Sequence, residues 1–310
     1  MRGIVEFVNI SLKKGTPKAP VPRVTLTETG IEGDAHAGTW HRQVSLLGQE
    51  SIEHFARQAQ RTFGPGEFAE NLTTRGVDLL ACRIGDRLHV GDAELDVTQI
   101  GKTCHGGGCA VFHAVGTCIM PKQGIFARVL RGGVIEPGTT LTHEPRPLDI
   151  RVVTLSDRAS RGEYDDLSGP AVVTALEAHF QNSHWRGTCR RSVLPDEPVQ
   201  IANCLREALK TGADVIFTTG GTGLGPRDCA PEVIAPMLEK HIPGIMEAIR
   251  VKYGQQIPSA LLSRSLAGTI GTTLVYALPG SLKAVQEYMQ EILLSLDHAL
   301  HMVRGIDTHG

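Results

Sequence analysis

From His143 to Pro147 the chain reads His-Glu-Pro-Arg-Pro, and the apolar pattern changes across that run. Two prolines in five residues resist both a helix interior and a central strand. Residues 144–148 therefore read as a linker between a domain over 1–143 and a second over 149–310. Before the linker, short β-type runs at 42–47, 87–90 and 93–100 are separated by glycine turns, and residues 49–61 repeat Ile52, Phe55, Ala56 and Ala59 at helical spacing. That pattern predicts a mostly-β domain with one helix. After the linker, strands and helices alternate: strand 150–155, a helix from Ser168, strand 191–194, a helix from Pro198, strand 214–218, a helix near 244–253, strand 273–278 and a closing helix from Ser281 to about Val303. Such alternation predicts an α/β domain with a doubly wound sheet.

A length of 310 residues suits two cores better than one. Apolar residues at 41%, charged residues at 21% and a net charge of −2 are the composition of a soluble globular protein, with no basic footprint for nucleic acid. No run of eighteen apolar residues suggests a membrane span, and the first residues lack a signal-peptide pattern, so the expected location is the cytoplasm. Seven cysteines, three of them between positions 104 and 118, argue against a disulfide framework and for reduced thiols.

The strongest local motif is Thr-Thr-Gly-Gly-Thr-Gly-Leu-Gly-Pro-Arg-Asp, residues 218–228, directly after the apolar run Val215, Ile216 and Phe217. Glycines at the carboxyl end of a strand let backbone N–H groups converge on an anion, which marks Thr219, Gly220, Gly221, Thr222 and Gly223 as a phosphate cradle. A ligand-free glycine turn is the bland alternative. Asp228 closes the loop, and Asp196 follows the neighbouring strand. Two carboxylates beside a phosphate cradle repel the phosphate unless a cation such as Mg²⁺ lies between them, so the pair points to a metal–nucleotide site. Read singly, Asp196 is also a good helix cap. Ser156 at the first βα junction, the run Asp166, Ser168 and Gly169 at the next helix start, and the turn Pro279, Gly280, Ser281 and Lys283 repeat the phosphate-binding arrangement. Lys283 and Arg250 are each open to two readings, ligand contact or solvated surface.

In the N-terminal half the informative cluster is Cys104, His105 and Cys109 around three glycines, with His113 and Cys118 following. A reactive thiolate, activated by Lys102 and the histidines, competes with a structural zinc site and with inert buried thiols. Asp34 and His36, in a glycine-rich turn, read as structural or as ligands.

The segments TLSDRASRGEYDDLSGP, VLPDE, TTGGTGLGPRDCAPE, IPGIMEAIR, ALLSR and LPGSLKAV stand in this order from about residue 150 to 304, and the region resembles the MogA/MoaB family of molybdopterin adenylyltransferases. The resemblance implies a three-layer α/β fold, a homotrimer, and transfer of AMP from Mg-ATP to the terminal phosphate of molybdopterin with release of pyrophosphate. It places the family's essential acids on Asp196 and Asp228, as catalytic and Mg²⁺-binding residues. Gly33-Asp34, Glu70-Asn71-Leu72, Gly85-Asp86, the cysteine cluster and the stretch 126–133 resemble the MOSC domain over about residues 4–141. That resemblance implies a β-barrel that handles sulfur or holds the molybdenum cofactor through a thiol, on Cys104 or Cys109, with other molybdenum-cofactor enzymes as partners. A non-catalytic protein that binds, stores or carries the pterin is the alternative for the whole chain.

Overall fold

The computed structural model describes residues 2–102 and 118–307, and these form two compact units that divide between Arg146 and Pro147. In the first unit the strands are β1 (Arg2–Ile10), β2 (Ala19–Val21), β3 (Val24–Thr27), β4 (Gly30–Ile31), β5 (Val44–Gly48), β6 (Leu72–Arg75), β7 (Arg87–Val90), β8 (Ala93–Ile100), β9 (Ile125–Arg131), β10 (Gly133–Ile135) and β11 (Thr140–Glu144). Among the described residues, seven of them close a barrel in the order β1, β6, β5, β9, β8, β7, β11 and back to β1. Alternation drives the closure: Leu88 and Val90, Leu95 and Val97, and Ala127 and Val129 all turn into one buried core. Register shifts in β1 and β8 supply the bends that a closed sheet needs. Helix α1 (Gln49–Ala59) ends earlier than the expected 61, because Gln60 takes a left-handed conformation and its N–H caps the Ala56 carbonyl. A short helix α2 (Met120–Gln123) precedes β9.

The acidic and amide residues of the N-terminal motifs turn out to be hydrogen-bond hubs. Asn71 Oδ1 accepts from the Ser45 amide and hydroxyl while its Nδ2 donates to the Asn9 carbonyl, tying β1, β5 and β6 together. Asp86 lies 2.7 Å from His143 Nε2 with both side chains buried, and its carboxylate also accepts from the backbone of Arg83 and Arg146. The end of the domain is anchored there.

Glu70 is fully buried, and burial pushes its carboxyl above the ordinary range despite N–H and hydroxyl donation from Gly66 and Thr73. A carboxyl that holds its proton more tightly when folded contributes stability at low pH and loses it as pH rises through the raised value. Glu70→Gln should therefore become progressively more stable than the parent chain as pH rises from the ordinary carboxylate range toward neutral. Calorimetry of both proteins across that range checks it, and a difference that shrinks with rising pH contradicts the account.

The second unit is built on β12 (Leu148–Leu155), β13 (Gly187–Leu194), β14 (Val215–Thr219), β15 (Lys240–His241), β16 (Leu266–Ile270) and β17 (Thr273–Leu278), in the order β13, β12, β14, β17, β16, β15. The first four are mutually parallel, and β16 and β15 continue the sheet antiparallel. Neither of these last two is legible in the sequence, since β15 is two residues long and β16 carries a glycine in its middle. Strand β13 also starts at Gly187 rather than 191, because it pairs with β12 along the whole of that strand.

The helices are α3 (Asp157–Ser160), α4 (Ser168–Asn182), α5 (Pro198–Lys210), α6 (Ala230–Ile234), α7 (Pro243–Gly254) and α8 (Leu282–Val303). Val153, Leu155, Ile216, Val275 and Ala277 of the sheet pack with Ile201, Leu205 and Ala208 of α5 and Ala230 and Ile234 of α6. Helix α8 buries Val285, Tyr288, Met289, Ile292, Leu296 and Leu300, the stripe that helical periodicity requires. Each such side chain stabilises by roughly 1.5–3 kcal/mol. No helix among the described residues is long and apolar enough to cross a membrane.

Candidate functional site

Strand register fixes the position of the site. Leu155 pairs with Leu194, Thr154 with Thr219, and Thr219 with Leu278, so the carboxyl ends of β12, β13, β14 and β17 reach one edge together. Connections from the adjacent strands β12 and β14 diverge at that edge, the switch point where open α/β sheets bind ligands. A cavity of about 1170 Å³ opens there. Its volume exceeds that of a pocket for one ordinary small molecule and suits two ligands side by side.

Of the residues singled out from sequence, Ser156, Ser168, Asp196, Thr219, Gly220, Gly221, Thr222, Gly223, Asp228, Pro279, Gly280, Ser281 and Lys283 line this cavity. Asp166 and Gly169 do not. The Asp166 carboxylate accepts from the Gly169 amide at 3.0 Å, the Ser168 hydroxyl at 3.1 Å and the Thr154 hydroxyl at 2.9 Å, so it orients lining hydroxyls from behind. A Cβ at Gly169 would stand 2.5 Å from Asp166 Oδ2, which explains the glycine. Arg250 lies outside the lining too: its guanidinium donates to the Ser265 carbonyl at 3.0 Å and holds the chain leading into β16. Lys283 lines the cavity with a largely exposed side chain, 3.8 Å from Glu287. Cys104, His105, Cys109 and His113 lie outside the described residues, whereas Cys118 packs beside the cluster of Leu47, Ile52 and Phe68.

The glycine loop is shaped by close backbone approach. Gly220 has φ +99° and donates its N–H to the Leu278 carbonyl, which joins the loop to β17. The Asp228 carboxylate accepts the Gly225 amide at 2.7 Å, and the Gly221 carbonyl accepts from Ala230. Arg264 fastens the loop from outside. Its backbone N–H donates to the Thr222 carbonyl, its Nε to the Gly223 carbonyl at 2.8 Å and its Nη2 to the Asp228 carbonyl at 2.9 Å. With three carbonyls drawn outward, the amides of Gly221, Thr222 and Gly223 are left for a ligand. Arg264 ends the segment ALLSR, and its role is not legible there, because a lone arginine about forty residues from the loop gives no local signal. Arg264→Met should speed hydrogen exchange of the amides in 220–225 about tenfold while the sheet keeps its protection. Unchanged exchange in the loop contradicts this role.

The acids form a second network. Asp157 and Asp196 each accept the other's backbone N–H at 3.1 Å, and Arg227 makes a bidentate pair with Asp157 at 3.0 Å while reaching Glu197 at 2.7 Å. Arg227 holds the Asp157 carboxyl below the usual range. Burial pushes the Asp196 carboxyl upward; the Asp157 amide works against that rise, and the negative charges of Asp157 and Asp228 add to it. Asp196 Oδ1 is buried without a hydrogen-bond partner, 3.2 Å from where a Cβ on Gly221 would stand.

An orphaned carboxylate oxygen that feels a second carboxylate is a donor set for a hard cation. Among the described residues no group of three or more His, Cys, Asp or Glu can hold a metal unaided. That matches Mg²⁺, which takes one or two carboxylates and completes its shell with water and phosphate oxygens. The residues present therefore fit a magnesium ion that arrives with a phosphorylated ligand. Leu167, Leu224, Ile257, Leu262 and Leu282 give the cavity an apolar wall for flat ring systems.

Comparison with known proteins is consistent in both halves. Residues 151–298 match the family described as "Probable molybdopterin binding domain", and residues 33–142 match the MOSC domain. The chain is 33% identical over 165 residues to the molybdopterin adenylyltransferase of Pyrococcus furiosus, covering 52% of this chain and 94% of that protein. It is 35% identical over 162 residues to the molybdenum cofactor biosynthesis bifunctional protein of Chlorobaculum tepidum, covering 51% of this chain; the match spans about half, 49%, of that relative. Among solved structures, the tungsten cofactor synthesizing protein MoaB from Pyrococcus furiosus aligns at 33% identity and a TM-score of 0.46, covering 52% of this chain and 99% of that chain.

Proposed function

Since this chain belongs, through its C-terminal half, to the family of molybdopterin adenylyltransferases, we propose that its cavity joins AMP from Mg-ATP to the terminal phosphate of molybdopterin and releases pyrophosphate. The observation that carries the reading is the orphaned Oδ1 of Asp196, held beside Asp228 at the mouth of a glycine cradle. The pterin phosphate is ionised at neutral pH and needs no base, so the protein's task is positioning and charge neutralisation. Asp196 and Asp228 hold the magnesium ion, which when bound supplies positive charge against the triphosphate. Gly221, Thr222 and Gly223 turn their amides toward the phosphate oxygens, Ser156 and Ser281 add hydroxyl donors, and Lys283 adds a cation at the rim. The apolar wall excludes water from the approach of the two substrates.

The same reading divides the chain into domains at 1–143 and 149–310, with the second a three-layer doubly wound fold that assembles as a trimer in the cytoplasm. The three-layer arrangement is supported by the packing of α5 and α6 on one sheet face and of α4 and α8 against each other and against β12 and β17. The N-terminal barrel is a cofactor- or sulfur-handling module, with the thiol on Cys104 or Cys109. A fusion keeps a labile pterin at high local concentration near both sites. Pyrophosphate release that needs both molybdopterin and Mg-ATP tests the central reaction. Tight pterin binding without release points instead to a carrier.

A further inference from the structure

Besides Asp196 and Asp228, two more acids gather where β12 and β13 meet the glycine loop. Asp157, the first residue of α3, lines the cavity, whereas Glu197 stands outside the lining. Four carboxylates so close together raise the question of why the chain does not hold a divalent cation by itself.

Arg227 sorts these charges. Its guanidinium takes Asp157 in a fork, Nε to Oδ2 and Nη2 to Oδ1, both at 3.0 Å, and reaches Glu197 at 2.7 Å. Among the described residues neither Asp196 nor Asp228 has an ion pair. Two acids are thus paired and two are left bare. The pairing has little to do with holding the fold together, since the Arg227 side chain is 55% exposed and such surface pairs stabilise a protein little.

What Arg227 changes is the set of oxygens open to a cation. Asp157 Oδ1 is shared between Arg227 and the Asp196 N–H at 3.1 Å, and Oδ2 has Arg227 as its hydrogen-bond partner. Both oxygens are therefore spent, although Asp157 and Asp196 are near enough to exchange backbone hydrogen bonds. Without the guanidinium, Asp157 would bring a third carboxylate and one more negative charge to the cavity. Three convergent carboxylates approach the donor sets with which proteins hold divalent cations through their own oxygens, whereas two rely on ligand phosphates to complete the shell.

We propose that Arg227 makes occupancy of the metal site conditional on nucleotide, by withholding Asp157 so that a divalent cation is retained only together with phosphate oxygens. The proposal rests on the reading of Asp196 and Asp228 as the magnesium-binding acids. Arg227 stands outside the cavity lining and acts through Asp157, so it is a positioning residue.

The test is electron paramagnetic resonance of Mn²⁺ titrated into the full chain with no nucleotide present. The parent chain should bind Mn²⁺ weakly, and Arg227→Gln should bind it about tenfold more tightly, the effect of removing one nearby positive charge at a partly solvated site. Arg227→Lys, which keeps the charge, should stay within about threefold of the parent. Adding Asp157→Asn to Arg227→Gln should return the affinity to the parental level, which a merely loosened loop would not do. Adding Asp228→Asn instead should also abolish the gain. Equal Mn²⁺ affinity in the parent and Arg227→Gln, or a gain that survives Asp157→Asn, overturns the proposal and leaves adenylyl transfer standing on its own product. A gain that survives Asp228→Asn removes the premise, and the proposal with it.

Discussion

Asp228→Asn should lower the rate of AMP transfer to molybdopterin by about 10²- to 10³-fold, with the fold retained, and Asp196→Asn should do the same. The loss follows from the geometry of the two acids. Asp196 has one oxygen engaged by the Asp157 amide and the other with no partner, while Asp228 uses Oδ2 to hold the Gly225 amide. An amide in place of either carboxylate keeps most of the shape and removes the charge that a cation needs. Both variants should raise the Mg²⁺ concentration required for half-maximal rate, which separates loss of the metal from a general defect. The double variant should be hardly worse than either single one, because the two residues act as a unit. Normal turnover by Asp228→Asn would sink the assignment.

Gly220→Ala should destabilise the C-terminal domain by about 3 kcal/mol or more. At φ +99° an L-residue is strained, and the new Cβ would stand 2.2 Å from the Leu155 carbonyl oxygen. Moving the loop aside is blocked, since its amide is tied to Leu278 and its Cα lies against Gly280. Gly271 offers the matching control. It also has positive φ, at +56°, but a Cβ there meets nothing within 4 Å, so Gly271→Ala should cost only about 1 kcal/mol. The chain has two tryptophans, and in a Trp40→Phe background the buried Trp185 reports the C-terminal domain alone during urea unfolding. Equal losses for the two glycines would show that crowding at the loop is not what requires Gly220.

Much of the C-terminal site is legible in sequence because parallel strands announce themselves. The run Val215 to Phe217 is apolar on both faces, and whatever follows such a strand lies at the ligand edge of the sheet. The register then brings Ser156, Asp196, Gly220 and Pro279 together without further information. Long-range partners are not legible. Arg264 and Arg227 act through backbone carbonyls and carboxylates contributed by other loops; Arg227 stands inside the glycine motif, but its partners Asp157 and Glu197 lie 70 and 30 residues away. Asp166 misleads for a related reason: an acid at a helix start in a phosphate-binding region reads as a ligand, but here it binds the hydroxyls that do the lining.

The N-terminal half behaves differently. Its motif residues Asn71 and Asp86 are spent on joining strands and anchoring the end of the domain, so the patterns that identify the domain report its architecture more than its chemistry. Asp34 is spent in the same way, since its carboxylate accepts the Ser11 and His36 amides and pairs with the buried Lys18.

The most direct test of the central claim is mass spectrometry of the products formed from ATP, Mg²⁺ and molybdopterin by the full chain. Adenylylated molybdopterin and one equivalent of pyrophosphate, both lost in Asp228→Asn, are the predicted result. Unmodified molybdopterin bound to the protein, with ATP intact, would contradict it.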